Sequence, residues 1–141
     1  MLIGPVIWIR QMYELETKGI RVSVQPAFLE DQSDPDARHF VWSYTIRIDN
    51  NSTHPVCLKT RRWQITDASG RIEEVKGDGV VGEQPVIEPG EGFEYTSGAP
   101  LSTPSGVMVG SYQMETPTGD FFDVAIPAFS LDSPHETRRV H

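Results

Sequence analysis

The sequence predicts an all-β fold: an antiparallel β-sandwich of immunoglobulin or fibronectin type III style with about seven strands. Three observations carry this. Apolar residues recur with period two rather than with a helical period. Turn-forming residues interrupt the runs at short intervals. No stretch long enough for a stable helix has an amphipathic pattern.

The strands follow in order. Ile20, Val22 and Val24 alternate with Arg21, Ser23 and Gln25. Phe40, Trp42, Tyr44, Ile46 and Ile48 alternate with Val41, Ser43, Thr45, Arg47 and Asp49, the clearest strand of the chain. Trp63 and Ile65 mark a strand over 59–66 and Val75 one over 71–77, joined through the turn residues Asp67-Ala68-Ser69-Gly70. Phe93 and Tyr95 mark a short strand. Met108, Tyr112 and Met114 share a face around Gly110, and Phe122, Val124 and Ile126 share another. Asn50-Asn51-Ser52, Pro89-Gly90, Thr103-Pro104-Ser105-Gly106 and Thr116-Pro117-Thr118-Gly119-Asp120 supply turns. Facing surfaces of the two sheets should include Trp42, Tyr44, Ile46, Tyr112 and Val124. A small barrel is the alternative closure of the same strands.

With 141 residues the chain has room for one domain with its own core. Its single cysteine, Cys57, has no partner for an internal disulfide, and a reducing cytoplasm is the expected compartment. Lys and Arg number 12 against 20 Asp and Glu, a net charge of −8, which argues against nucleic acid and anionic membranes as partners. The apolar start, Val6-Ile7-Trp8-Ile9 included, is too short to cross a bilayer and lacks the basic flank of a signal peptide. Residues 1–11 are expected to be an extension outside the core, and 133–141 a flexible tail.

Gly77-Asp78-Gly79-Val80-Val81-Gly82 formally matches a dinucleotide-binding glycine pattern. That pattern works when a helix N-terminus follows, and Pro85 and Pro89 forbid such a helix here. Residues 77–82 should therefore be loop or bent strand, with positive φ at one or more of Gly77, Gly79 and Gly82. Two readings stay open: glycines that let a strand bend, or successive N–H groups that cradle an anion. Lys59, Arg61 and Arg62, with Arg71 and Lys76, could add charge for a phosphate at that loop. They could equally neutralise Glu73, Glu74 and Asp78 on a solvated face. His39, His54, His135 and His141 have no metal-ligand spacing, and Glu30 to Asp36 lacks the pattern of a calcium loop. No metal, cofactor or activated nucleophile is expected, and the reading is of a binding protein rather than an enzyme.

Several motifs are specific enough to carry a resemblance. Phe40-Val41-Trp42-Ser43-Tyr44, Arg62-Trp63-Gln64-Ile65-Thr66-Asp67 and Gly77 through Pro85 resemble the ApaG family. So do Pro89-Gly90-Glu91, Thr103 through Met108, Gly110-Ser111-Tyr112-Gln113-Met114 and Ile126-Pro127-Ala128-Phe129. The similarity spans an expected domain of residues 12–132 in one register. It implies a fibronectin type III-like sandwich and a link, through the name CorD, to cobalt tolerance and magnesium efflux. Related domains in eukaryotic proteins imply a protein-binding module with a partner still to be found. The family's glycine motif, on Gly77, Gly79 and Gly82, implies pyrophosphate binding or dinucleoside polyphosphate binding as the alternative.

Overall fold

A computed structural model describes residues 12–135. The expected extension over residues 1–11 lies outside the described residues. Among the described residues, nine strands form two antiparallel sheets. The first sheet has the order β1-β2-β3-β7, from β1 (Tyr13–Thr17), β2 (Ile20–Phe28), β3 (Phe40–Asn50) and β7 (Gly92–Leu101). The second has the order β5-β4-β8-β9, from β5 (Ile72–Asp78), β4 (Val56–Asp67), β8 (Gly106–Glu115) and β9 (Phe121–Leu131). The short β6 (Val86–Ile87) continues the β5 edge by pairing with the start of β4. Two separate sheets decide for the sandwich over the barrel.

The period-two residues form the core. Trp42, Tyr44, Ile46, Tyr112 and Val124 are all buried between the sheets, as their alternation required. Each large apolar side chain so buried stabilises the fold by roughly 1.5–3 kcal/mol. Tyr44 and Trp63, one from each sheet, meet edge to face at 5.4 Å, and Phe129 packs against both. β1 and β6 are the strands that the alternation does not single out. β1 sits on a rim where Tyr13 is partly buried against Phe129 and Leu15 stays exposed, so its apolar residues show no continuous buried face. β6 is two residues long, below any readable period. The segment between β2 and β3 holds two 3-10 turns, Glu30–Gln32 and Pro35–Ala37.

One side of the sandwich is closed and the other open. β9 packs against β1 and β2. There the Thr17 hydroxyl accepts from the Ala125 N–H, and the Tyr13 hydroxyl from the Ser130 N–H. On the opposite side β5 and β7 each end their sheet, and among the described residues neither pairs with a further strand along its length. At the C-terminal end, Trp42 Nε1 donates to the Asp132 carbonyl and the Ser133 hydroxyl to the Pro104 carbonyl. His135 lies against Phe28 and Phe40 with Nε2 3.1 Å from Glu30 Oε2. The first residues of the expected tail are thus tied to the domain.

Candidate functional site

The glycine segment crosses from β5 to β6 along the edge of β4. β4 has a register irregularity between Leu58 and Thr60, and the crossing is bonded to it there. The Gly79 N–H and the Gln84 side-chain amide both donate to the Lys59 carbonyl, and the Leu58 N–H donates to the Pro85 carbonyl. Val80 and Glu83 exchange both backbone hydrogen bonds around a two-residue turn, Val81-Gly82. Both turn residues are left-handed, with φ of 43° and 80°. That geometry suits Gly82 and strains the β-branched Val81, which is also exposed. Val80, in contrast, plugs the core.

The three glycines do different things. Gly77 is an ordinary β5 residue opposite Arg61, and it leaves room for that side chain: a Cβ at 77 would lie 2.8 Å from Arg61 Cζ. Gly79 has φ of 59° and lies under the Glu83 carbonyl, where a Cβ would come within 2.0 Å of the oxygen. Gly82 faces open space. Of the backbone N–H groups that could form an anion cradle, those of Gly79, Val80 and Glu83 already have acceptors. Those of Val81 and Gly82 have none among the described residues.

The basic residues separate. Arg61 points to the core side of β4, where Nη1 donates to the carbonyls of Asp78 and Gly79 at 3.0 and 2.8 Å. Lys59 pairs with Glu115 at 3.8 Å. Arg62 and Lys76, directly opposite one another, stand on the outer face of the second sheet. Among the described residues, Arg61 is the one of these basic residues whose side chain bonds the glycine segment, while Lys59 meets it through its backbone carbonyl. Behind Arg61 three tyrosines converge. Tyr95 and Tyr112 share a buried hydroxyl–hydroxyl hydrogen bond, and burial raises both phenols well above their ordinary range. Burial likewise raises Tyr44, with a hydrogen bond to Ser97 acting the other way. Hydroxyls held neutral in this way are poor nucleophiles or bases near neutral pH. Among the described residues no group of three or more His, Cys, Asp or Glu side chains could hold a metal ion. No described helix is long and apolar enough to cross a membrane.

The open side offers a different surface. β7 runs ten residues beside β3 without a bulge, and from Tyr95 to Leu101 it carries no charged side chain. β5 is guarded by Glu73, Glu74, Lys76 and Asp78. Charges, prolines and bulges are the usual protection of a sheet edge, and the central part of β7, from Tyr95 to Ala99 ahead of Pro100, has none of them. Between the two edges lies a cleft of about 260 Å³, lined by Ile65, Arg71 and Glu73 on one wall and Pro100 and Leu101 on the other. Arg38, in the left-handed region with φ of 55°, and His39 stand at its end. Sequence reading centred on the basic cluster and missed this edge. The uncharged run Thr96-Ser97-Gly98-Ala99-Pro100 was the available signal, since proline is accepted at sheet edges.

Comparison with known proteins gives a consistent answer. The family model described as the ApaG domain matches residues 30–116. Protein ApaG of Rhodospirillum centenum is 61% identical over 128 residues, covering 91% of this chain and 98% of that protein. Protein ApaG of Brucella anthropi is 58% identical over 130 residues, 92% of this chain and all of the relative. A crystal structure of an ApaA protein from Bordetella pertussis superposes with a TM-score of 0.80 at 47% identity, covering 82% of this chain and 94% of that one. The C-terminal domain of Wzt shares the fold alone, with a TM-score of 0.52 at 12% identity over 92% of this chain and 80% of that one.

Proposed function

This chain belongs to the ApaG domain family, and from that premise we propose that it is a non-catalytic module that binds an extended segment of a partner protein along β7. The unguarded β7 edge carries this reading. A strand added there would gain main-chain hydrogen bonds from β7, and its inward side chains could enter the cleft toward Ile65 and Leu101. The link to cobalt and magnesium homeostasis that the family resemblance implies would run through that partner. A photocrosslinking residue at Gly98, where a Cβ makes only ordinary contact, tests the reading in cells. Adducts with a second polypeptide are expected from position 98 and not from Gln64 on the outer face of the second sheet. The reverse pattern would move the interface elsewhere.

A second reading draws support from the Val81 and Gly82 amides, which have no acceptor among the described residues, and from Arg62, which forms no ion pair there. A phosphate or pyrophosphate group would sit at the 79–83 turn against Arg61, near Lys59, and Arg62 would have to leave the outer face of the sheet to reach it. The anion would have to share Arg61 with the two carbonyls already bound. Calorimetric titration with pyrophosphate and with diadenosine tetraphosphate separates the readings: saturable heat lost in Arg62→Met supports this one, and no heat leaves β7 as the site.

A further inference from the structure

At one end of the sandwich three tight turns border a second concavity, open to solvent, of about 440 Å³. Its floor is apolar: Val56, Pro117, Phe122 and Phe121, the last 54% exposed despite being aromatic. Its rim is polar. Lys18 projects from the β1–β2 turn with Nζ 5.7 Å from the Phe122 ring centre, and His54 and Asp120 come from the other two turns. A volume of this size, with an apolar floor and a few convergent polar groups, is typical of small-ligand sites.

The walls are braced in advance. Asn50 is fully buried, and its amide donates to the carbonyls of His54 and Ile87 while its oxygen accepts from the Ser52 N–H and hydroxyl. That fixes the 51–54 turn. The Thr116–Asp120 turn is cross-linked by the Thr116 N–H to the Asp120 carbonyl and by the Asp120 N–H to the Thr116 hydroxyl. Thr118 in turn holds Asp120 Oδ2 at 2.9 Å. A site that needs no reorganisation loses little of its binding energy to ordering.

Charge selects the occupant. In a chain with net charge −8, Lys18 has no carboxylate partner among the described residues, and its ammonium faces the Phe122 ring. Lys18 is held on the rim by the two-residue Lys18-Gly19 hairpin turn, whose two central residues are both left-handed, with φ of 49° and 84°. An ammonium beside exposed aromatic surface matches an apolar body ending in an anionic group. Asp120 on the same rim disfavours a dianion, which points away from phosphate and toward a single carboxylate. We propose that this pocket binds a small aromatic or aliphatic monocarboxylate, its apolar body on Phe121, Phe122 and Pro117 and its carboxylate on Lys18. The site is separate from β7, so its test is independent of the partner-binding reading.

The test is a titration of the full ¹⁵N-labelled chain with phenylacetate, its neutral counterpart 2-phenylethanol, and inorganic phosphate, followed by amide shifts. Phenylacetate should give saturable shifts at Lys18, Gly19, Gly119 and Phe121 with a Kd of about 1 mM or tighter. Lys18→Gln should weaken it about fivefold and erase its advantage over 2-phenylethanol, and Lys18→Arg should retain binding. Phe121→Ser should weaken both ring compounds about tenfold. Both side chains are exposed, and the spectrum of each free variant reports directly that it is folded. Equal binding of phenylacetate and 2-phenylethanol, equal shifts with inorganic phosphate, or no saturable shift at these residues would overturn the proposal.

Discussion

The guanidinium of Arg61 lies across the Cα of Gly77 on the neighbouring strand and ties the next two residues of that strand's exit by their carbonyls. A side chain at 77 would displace it. One glycine thus makes space for one arginine, and the arginine holds the bend that the next glycine makes. The glycine motif is read most directly as a bracing device for the β5–β6 crossing.

Alanine substitutions should rank accordingly. Gly79→Ala combines a left-handed φ with a Cβ 2.0 Å from the Glu83 oxygen, so it should cost more than about 2 kcal/mol. Gly77→Ala meets the movable end of a side chain and should cost about 1–2 kcal/mol through the displaced Arg61 bonds. Gly82→Ala meets open space and should cost only the strain of its φ, about 1 kcal/mol. Urea denaturation of the three variants checks the order, and a Gly82→Ala loss as large as that of Gly79→Ala would refute it.

Val81 gives a prediction of opposite sign. It is exposed and left-handed at the first central position of a two-residue turn followed by glycine. Val81→Asn places the preferred Asn-Gly pair there and should stabilise the protein by about 1 kcal/mol, seen as a rise in melting temperature. A fall would mean that the valine side chain makes a stabilising contact.

The tyrosine pair predicts alkaline sensitivity. Burial raises the folded-state pKa of Tyr112, Tyr95 and Tyr44 above the unfolded value of about 10. Their contribution is therefore complete below about pH 10 and is lost as the pH rises beyond it, because the unfolded chain releases those protons first. Melting temperature should be flat across neutral pH and fall above about pH 10. Tyr112→Phe leaves the buried Tyr95 hydroxyl unpartnered, a cost of about 1–3 kcal/mol. Adding Tyr95→Phe should cost less than the two single changes summed. Strict additivity in that cycle would deny the coupling.

Much of this architecture was legible in the residues. Strands such as Phe40–Asn50 are half buried, so their alternation reports the core directly. The pair of prolines after the glycine motif excluded a helix, and left-handed φ at Gly79 and Gly82 agrees with that reasoning. What was not legible depends on contacts distant in sequence. Arg61 and Arg62 are adjacent, yet strand alternation sends one to the core side and the other to solvent, which separates a cluster that looked continuous. The pocket at Lys18 joins three turns far apart in the chain, and no local pattern marks such a meeting. The status of β7 as an edge follows from sheet order, which strand patterns leave open.

The central claim is that β7 is the binding edge, and a blunted edge tests it most directly. Thr96→Lys combined with Gly98→Lys puts two charges on exposed positions of β7, and position 98 has room for a side chain. The measurement is recovery of co-purifying polypeptide from cells by the tagged double variant beside the unaltered chain, with melting temperature as the control for folding. The account predicts a melting temperature within a few degrees of the unaltered chain and loss of the partner that crosslinks at position 98. A folded double variant that retains that partner in full would contradict it.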